Sequence, residues 1–231
     1  MSIVLILGSG PSVVAAVDWP REPFDRIVAI NNAWRVRDDW DDLIHPSDFP
    51  ADRMPATRRP TQRIVTATDY VPLQNTFGGF VYAGGTMAFT AGYWALAALR
   101  PRVLAFLGCD MVYPASGNTH FYGTGTADPL RDDITLRSLP AKSARLQIHA
   151  AMAGCACVNL STADSQLVFP RATSADLTVA PLPFDANKAT AAQAAEARLG
   201  YVVPSGKYWK EAGRFDAAEI DALDALWLAA V

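Results

Sequence analysis

The sequence has little cysteine, no excess of basic charge and no long apolar run, and each shortage argues against a class of protein. Its three cysteines, Cys109, Cys155 and Cys157, cannot all pair and lie in apolar runs, which is typical of a reducing cytoplasm. The formal net charge is −3, so no basic surface favours nucleic acid as a partner. No apolar run approaches the roughly 20 residues of a membrane span, and the first strand begins at Ile3, too early for a signal peptide. We therefore expect a cytoplasmic protein without a membrane span.

The chain is rich in apolar residues, and their pattern alternates between strands and helices. Of its 231 residues, 51% are hydrophobic, enough for one full core. Apolar runs alternate with helical patterns as far as Phe169. This alternation predicts an α/β fold, a Rossmann-like three-layer sandwich with a mostly parallel central sheet and C-terminal helices. Residues 1–169 would form a nucleotide-binding domain, and residues 170–231 a linker and helical extension packed on the same domain.

The hydrophobic patterns predict the position of each element. The predicted strands are Ile3–Leu7, Arg26–Ile30, Leu43–Ile44, Arg63–Ala67, Arg102–Leu107 and Cys155–Leu160. The predicted helices are Ser12–Trp19, Thr86–Leu99, Lys142–Gly154, Asp185–Leu199 and Phe215–Ala230, with Thr86 as an N-cap and Asp216 and Glu219 as a capping box. Residues 68–82 are predicted to be mostly loop, and residues 111–141 a long polar segment of the kind that is often functional.

The first strand runs into a small-residue turn, Gly8-Ser9-Gly10-Pro11-Ser12, and then into a helical segment. Glycines allow close backbone approach, and a helix N-terminus offers N–H groups, so this turn predicts a phosphate site. The third glycine of a dinucleotide fingerprint is missing, since Val13 stands there, and the second strand ends in Asn31-Asn32 instead of an acidic residue. Both features argue against NAD, while the amides are suited to bonding a base or a ribose.

Polar residues follow strand after strand, and in a parallel sheet the carboxyl ends of the strands share one edge. This pattern predicts a binding cleft at that edge. The polar clusters are Ser9–Ser12, Asn31-Asn32, His45–Asp48, Asp110–Tyr113 and Ser161.

These pieces occur in an order that resembles the bacterial lipooligosaccharide sialyltransferases, which transfer sialic acid from CMP-sialic acid on a modified Rossmann sheet. The matching residues span about 1–165 and are Gly8–Ser12, Asn31, His45–Ser47, Gly85-Thr86, Gly108–Asp110 and His120–Gly123. The early Gly-Pro-Ser and the later Gly-x-Asp are also similar to a broader group that includes hydroxymethylpterin diphosphokinases. Three positions depart from the sialyltransferase pattern: Ser9 and His45 stand where the family has asparagine, and Thr124 where it has its catalytic histidine.

The resemblance implies roles for the strand-end residues. The turn Gly8–Ser12 would contact the phosphate or ribose, Asn31, Thr86 and Asp110 would hold cytidine and sugar, and Ser161 would add a phosphate or base contact. We place Asn32 and Gly108 with this nucleotide-binding set. No resident cofactor is implied, because the nucleotide sugar is a substrate; the acceptor would be a glycan or a small molecule.

Threonine is too weak a base to replace the missing histidine, so the catalytic assignments fall on neighbouring residues. His120 is the first candidate for general base and His45 the second. Tyr113 or Tyr122 would protonate the leaving phosphate. The cations considered for stabilising phosphate charge are Arg131, Lys142 and Arg145.

Two other functions remain open. A diphosphotransferase of the pterin type would need Mg²⁺, for which Asp110 with Asp48 are candidate ligands, and loss of the family histidine would also suit a non-catalytic nucleotide-binding module. The alternating Cys155 and Cys157 are expected to be buried and not to bind a metal. The Ala-rich C-terminal helices are expected to pack on the domain or to form a homo-oligomer surface.

Overall fold

Six parallel strands form one sheet in the computed structural model, which describes residues 2–113, 117–124 and 131–231. The strands are β1 Ile3–Leu7, β2 Arg26–Ile30, β3 Asp42–Ile44, β4 Arg63–Val65, β5 Val103–Leu107 and β6 Ala156–Asn159. Their spatial order is β4-β3-β2-β1-β5-β6, and every neighbouring pair is parallel. The strand order reverses direction beside β1, between β1 and β5, which is where open α/β sheets bind ligands.

The α-helices and several 3₁₀ helices cover both faces of the sheet, which confirms the predicted Rossmann-like α/β sandwich. The α-helices are α1 Ala67–Asn75, α2 Phe80–Ala83, α3 Met87–Leu99, α4 Leu139–Met152, α5 Ala186–Leu199 and α6 Ala217–Leu228. The 3₁₀ helices are Pro11–Asp18, Asn31–Arg35, Ala51–Arg53, Ile134–Leu136 and Tyr208–Arg214. One face of the sheet packs on α1, α3 and α4, and the other on the first two 3₁₀ helices and the segment 172–179. No helix of the described residues has the length and apolar character needed to cross a membrane.

The prediction of loop for residues 68–82 is wrong, since α1 and α2 occupy most of this range. Helix α1 contains Pro72 and has no clear apolar face, so the hydrophobic pattern conceals it. Its start is nevertheless marked, because the Thr66 N–H donates to the Asp69 carboxylate at 2.7 Å.

Helix caps refine the other predicted boundaries. Thr86 caps α3 as predicted, accepting the Phe89 N–H at 3.3 Å. Helix α4 begins three residues before the predicted start, because Ser138 accepts the Ala141 N–H. Asp216 caps α6, but the Glu219 carboxylate pairs with Arg198, so the reciprocal half of the predicted capping box does not form.

The C-terminal helices are joined to α4 by buried charges, which we call the C-terminal ionic cluster: Lys142, Arg145, Glu196 and Asp224. Arg145 Nε and Nη2 each donate to the Glu196 carboxylate at 2.7 Å, and Lys142 Nζ donates to Asp224 Oδ1 at 2.7 Å. One further donor reaches the same carboxylate, since Trp227 Nε1 donates to Glu196 Oε1 at 2.8 Å. Residues of the predicted extension therefore share buried ion pairs with the α/β domain.

Candidate functional site

A cavity of about 510 Å³ opens at the carboxyl ends of β1, β2 and β5, beside the point where the strand order reverses. We call it the strand-end cavity. The predicted site residues among its lining are Gly8, Ser9, Gly10, Ser12, Asn31, Asn32, Thr86, Gly108, Asp110, Tyr113 and His120. Lining residues outside that set include Phe49, Arg53, Cys109, Asn118, Thr119, Tyr122, Arg131 and Asp164. Its size falls in the range of small-molecule sites.

Two glycine turns meet at the back of the strand-end cavity, one after β1 and one after β5. The Gly8 N–H donates to the Leu107 carbonyl and the Gly10 N–H to the Gly108 carbonyl, both at 2.8 Å. A side chain at Gly8 would overlap the Gly108 carbonyl, and Gly108 itself has φ +71°. These N–H groups are therefore used inside the protein.

Three buried polar atoms of the cavity-lining residues have no hydrogen-bond partner among the described residues: Ser9 Oγ, Asn31 Oδ1 and Asn32 Oδ1. Asn31 adopts a left-handed backbone, with φ 54°, which asparagine tolerates better than most residues. Buried polar groups are normally paired, and an unpaired one costs free energy. Each of these three oxygens has the capacity to accept a hydrogen bond.

Asp110 is fixed at the wall between β5 and β6. Its carboxylate accepts Ser12 Oγ at 3.0 Å and Asn159 Nδ2 at 3.3 Å. Asn159, at the end of β6, also accepts the Ser161 N–H at 2.9 Å. The sequence interpretation missed Asn159 because it assigned this residue to the interior of a strand. The contacts of Asp110 join three strand ends into one polar wall.

His120 is held on a short turn against the first glycine turn. The His120 N–H donates to the Gly123 carbonyl at 3.0 Å, and the Phe121 N–H donates to the Ser9 carbonyl at 3.0 Å. His120 Nδ1 lies 2.8 Å from Thr119 Oγ1, and its ring stacks on Tyr122 with the centroids 5.0 Å apart. Burial lowers the pKa of His120, so the neutral imidazole is favoured near pH 7.

The remaining aromatic and polar residues of this loop differ in position. The Tyr113 ring centroid lies 6.1 Å from that of His120, which brings a phenol and an imidazole to the same wall. Thr124 is exposed, and its hydroxyl donates to the Gly117 carbonyl at 3.3 Å. Part of the polar segment 111–141 lies outside the described residues.

His45 and Ser161 are not among the described residues that line the strand-end cavity. His45 Nδ1 lies 2.8 Å from the Pro46 carbonyl oxygen, and its ring packs on Phe49, which does line the cavity. Ser161 is buried and its Oγ accepts the Ala163 N–H at 3.1 Å. Both residues therefore contact cavity-lining residues, Phe49 and Ala163, without lining the cavity themselves.

Of the three candidate cations, the structure brings only Arg131 to the strand-end cavity. Lys142 and Arg145 are instead part of the C-terminal ionic cluster, each about 1% exposed and paired with a carboxylate. The hypothesis that Lys142 or Arg145 stabilises a phosphate is therefore wrong, because both side chains are buried and neither is among the described residues that line the cavity.

The acidic and sulfur groups do not form a cluster of metal ligands within the described residues. No three His, Cys, Asp or Glu side chains converge there, and Asp48 is exposed and lies outside the cavity lining. Cys109 lines the cavity, but burial raises the pKa of its thiol, so the reactive thiolate is disfavoured. Cys155 and Cys157 are buried as expected.

Comparison of the chain with models of protein families, with curated proteins and with solved structures finds no match.

Proposed function

We propose that the protein is a sialyltransferase-like glycosyltransferase that binds a nucleotide sugar, preferably CMP-linked, in the strand-end cavity. The observation that carries the proposal is the convergence at one sheet edge of unpaired acceptors on Ser9, Asn31 and Asn32 with a neutral histidine, His120. The acceptors suit the hydroxyl and amino groups of a nucleoside, and the histidine suits an acceptor hydroxyl.

In the proposed reaction, the acceptor hydroxyl oxygen attacks the anomeric carbon of the donor sugar. The bond between that carbon and the phosphate oxygen breaks, and CMP leaves with the electron pair. His120 Nε2 takes the hydroxyl proton, which requires Nδ1 to carry the other ring proton and to donate it to Thr119 Oγ1. Tyr113, at the same wall, donates a proton to the leaving phosphate.

Ligand screening tests the nucleotide preference. The wild-type protein is titrated with CMP, CDP, UDP, ATP and NAD, with and without Mg²⁺, while thermal unfolding is followed. We expect CMP to raise the unfolding temperature without metal, because binding to the folded state alone stabilises it. A response to ATP only with Mg²⁺ would favour the diphosphotransferase instead. Nucleotide binding without any transfer of sugar or diphosphate would favour a non-catalytic nucleotide-binding module.

Replacing His120 tests the base. We expect His120→Ala to lower transfer about 10²- to 10⁴-fold while CMP still binds, since general base catalysis contributes on that order. His45→Ala tests the second candidate base in the same assay, and we expect a smaller loss of transfer because His45 is not among the described residues that line the cavity. Equal turnover in wild type and His120→Ala would remove His120 from the mechanism.

The proposal extends to the surroundings of the reaction. We place the protein in the cytoplasm, where its buried thiols would stay reduced, with a glycan or small-molecule acceptor as the second substrate. A homo-oligomer formed through the C-terminal helices is proposed as well, and light scattering in solution would test it.

A further inference from the structure

The C-terminal segment reaches the wall of the strand-end cavity through Tyr208. Its hydroxyl donates to Asp133 Oδ2 at 2.8 Å and lies 3.1 Å from Arg131 Nη2, which donates to it. Arg131 Nε in turn donates to Asp133 Oδ2 at 2.9 Å. Arg131, Asp133 and Tyr208 therefore form a closed triangle, and Arg131 is the member that lines the cavity.

The Tyr208 hydroxyl lies directly behind the cavity wall at Gly85. A Cβ atom at Gly85, a residue of the cavity lining, would stand 2.5 Å from Thr135 Oγ1 and 2.8 Å from the Tyr208 hydroxyl. Real Cβ atoms do not approach so closely, so this glycine makes room for the hydroxyl. The Tyr208 ring is 6% exposed and stacks on Phe80, with the centroids 6.2 Å apart.

The triangle requires an ionised Asp133 carboxylate and a protonated Tyr208 hydroxyl, and the surroundings favour both forms. Asp133 Oδ1 accepts both the N–H and the hydroxyl of Thr135, at 2.8 and 2.6 Å. Although burial alone would raise the pKa of Asp133, these bonds and Arg131 lower it, so the carboxylate stays ionised. Burial raises the pKa of Tyr208, which keeps its proton for donation to Asp133.

We propose that Tyr208 is a positioning residue that holds Arg131 at the wall of the strand-end cavity, where the guanidinium binds a phosphate or diphosphate group. Guanidinium groups match phosphate oxygens in geometry, and a guanidinium held by two other side chains loses less freedom on binding. The inference rests on the proposed function in taking this cavity as the ligand site, but not on the identity of the nucleotide.

Inorganic pyrophosphate is the probe, titrated calorimetrically at millimolar concentrations into the full chain. We expect Arg131→Gln to weaken its binding by about tenfold or more, and Tyr208→Phe by about three- to tenfold, as expected for lost bonds involving a charged group. Tyr201→Phe is the matched control, since that hydroxyl accepts only the Asp216 N–H among the described residues and lies outside the cavity lining. Arg53→Gln tests the other arginine of the lining.

A double variant separates positioning from general disturbance. If Tyr208 acts through Arg131, Tyr208→Phe has no further effect in the Arg131→Gln background, whereas a structural role would weaken binding in both backgrounds. Should Tyr208→Phe fail to fold, Asp133→Asn takes its place in the same cycle. The inference is overturned if wild type does not bind pyrophosphate, if Arg53 and not Arg131 carries the effect, or if the two losses add.

The same titration keeps this inference apart from the proposed function. Binding of pyrophosphate that depends on Arg131 and Tyr208, together with no binding of any nucleotide, supports the anion site and removes the glycosyltransferase. Nucleotide binding with no such dependence overturns the anion site alone.

Discussion

The strand-end cavity and the C-terminal ionic cluster are two polar regions of the protein, and their buried polar groups differ in the partners they have. In the ionic cluster, Arg145 and Glu196 are bonded to each other and to neighbouring aromatic residues. In the cavity, Ser9, Asn31 and Asn32 each keep a buried oxygen without a partner among the described residues. Each charge of the cluster is paired with an opposite charge inside the chain, although Asp224 Oδ2 has no hydrogen-bond partner among the described residues. Under the proposed function, a ligand would supply the missing partners in the cavity.

The largest difference between the two regions should appear on removal of one charge from the cluster. Glu196→Gln leaves Arg145 buried without its counter-ion, and we expect the free energy of unfolding to fall by about 3–5 kcal/mol. Urea denaturation measures this loss. Glu219→Gln is the matched control, because its partner Arg198 is exposed and a surface pair contributes little. Equal losses in the two variants would mean that the buried Arg145–Glu196 pair contributes no more to stability than the exposed Arg198–Glu219 pair.

This contrast also explains what could be predicted from the sequence. Strand ends are local features, so the turn at Gly8 and the amides at Asn31 could be assigned to the cavity from the sequence alone. The ionic cluster joins residues far apart in the chain, since 51 residues separate Arg145 from Glu196 and 82 separate Lys142 from Asp224. Hydrophobic periodicity describes local structure, so it does not indicate ion pairs between residues so far apart in the sequence.

The same reason accounts for two further misses. Tyr208 reaches the cavity wall from 75 residues beyond Asp133, and only tertiary structure brings them together. Helix α1 was missed because Pro72 and a weak apolar face obscure its period, although Thr66 and Asp69 carry the spacing of a capping box.

Substitution of Gly8 tests whether the back of the cavity is as tightly packed as the cluster. We expect Gly8→Ala to destabilise the protein by about 2–3 kcal/mol, since the new methyl group would overlap the Gly108 carbonyl, which is backbone, and would also stand 2.7 Å from Cys109 Sγ. Gly213→Ala is the control, because a Cβ there meets nothing within 4 Å among the described residues. Thermal unfolding with and without CMP compares them. If Gly8→Ala is as stable as Gly213→Ala, the two turns can separate and the cavity is not rigid.

The two regions also differ in how their histidines respond to pH. Burial lowers the pKa of His149, beside the ionic cluster, from 6.5 to about 2, and the nearby Arg145 adds to this shift. Between pH 6.5 and about pH 2, His149 is protonated in the unfolded chain but neutral in the folded protein. The free energy of unfolding therefore keeps its full value above pH 6.5 and decreases as the pH falls below it. On acidification from pH 7 to pH 5, His149 should lower the free energy of unfolding by about 2 kcal/mol.

Urea denaturation of wild type and His149→Phe at pH 7 and pH 5 isolates that contribution, because the carboxylates titrate alike in both proteins. We expect a smaller loss on acidification in the variant. His120→Ala, at the cavity, should lose about as much as wild type, since its histidine is only half-buried and its pKa is less affected. Equal acid losses in wild type and His149→Phe would show that His149 accepts a proton in the folded state.

The smallest change, removal of one hydroxyl oxygen, gives the sharpest test of the contrast. Ser143 Oγ is fully buried and accepts the Val168 N–H at 3.0 Å, so Ser143→Ala should destabilise the protein by about 1–2 kcal/mol. Ser9 Oγ is buried without a partner among the described residues, so Ser9→Ala removes an unpaired group and should leave stability unchanged or slightly higher. Ser9→Ala should also bind CMP less tightly, because the Ser9 oxygen can no longer accept a hydrogen bond from the nucleotide. A Ser9→Ala protein that is destabilised as much as Ser143→Ala would show that the Ser9 oxygen already serves the fold, and the cavity would then lose one of the three groups that mark it as a site.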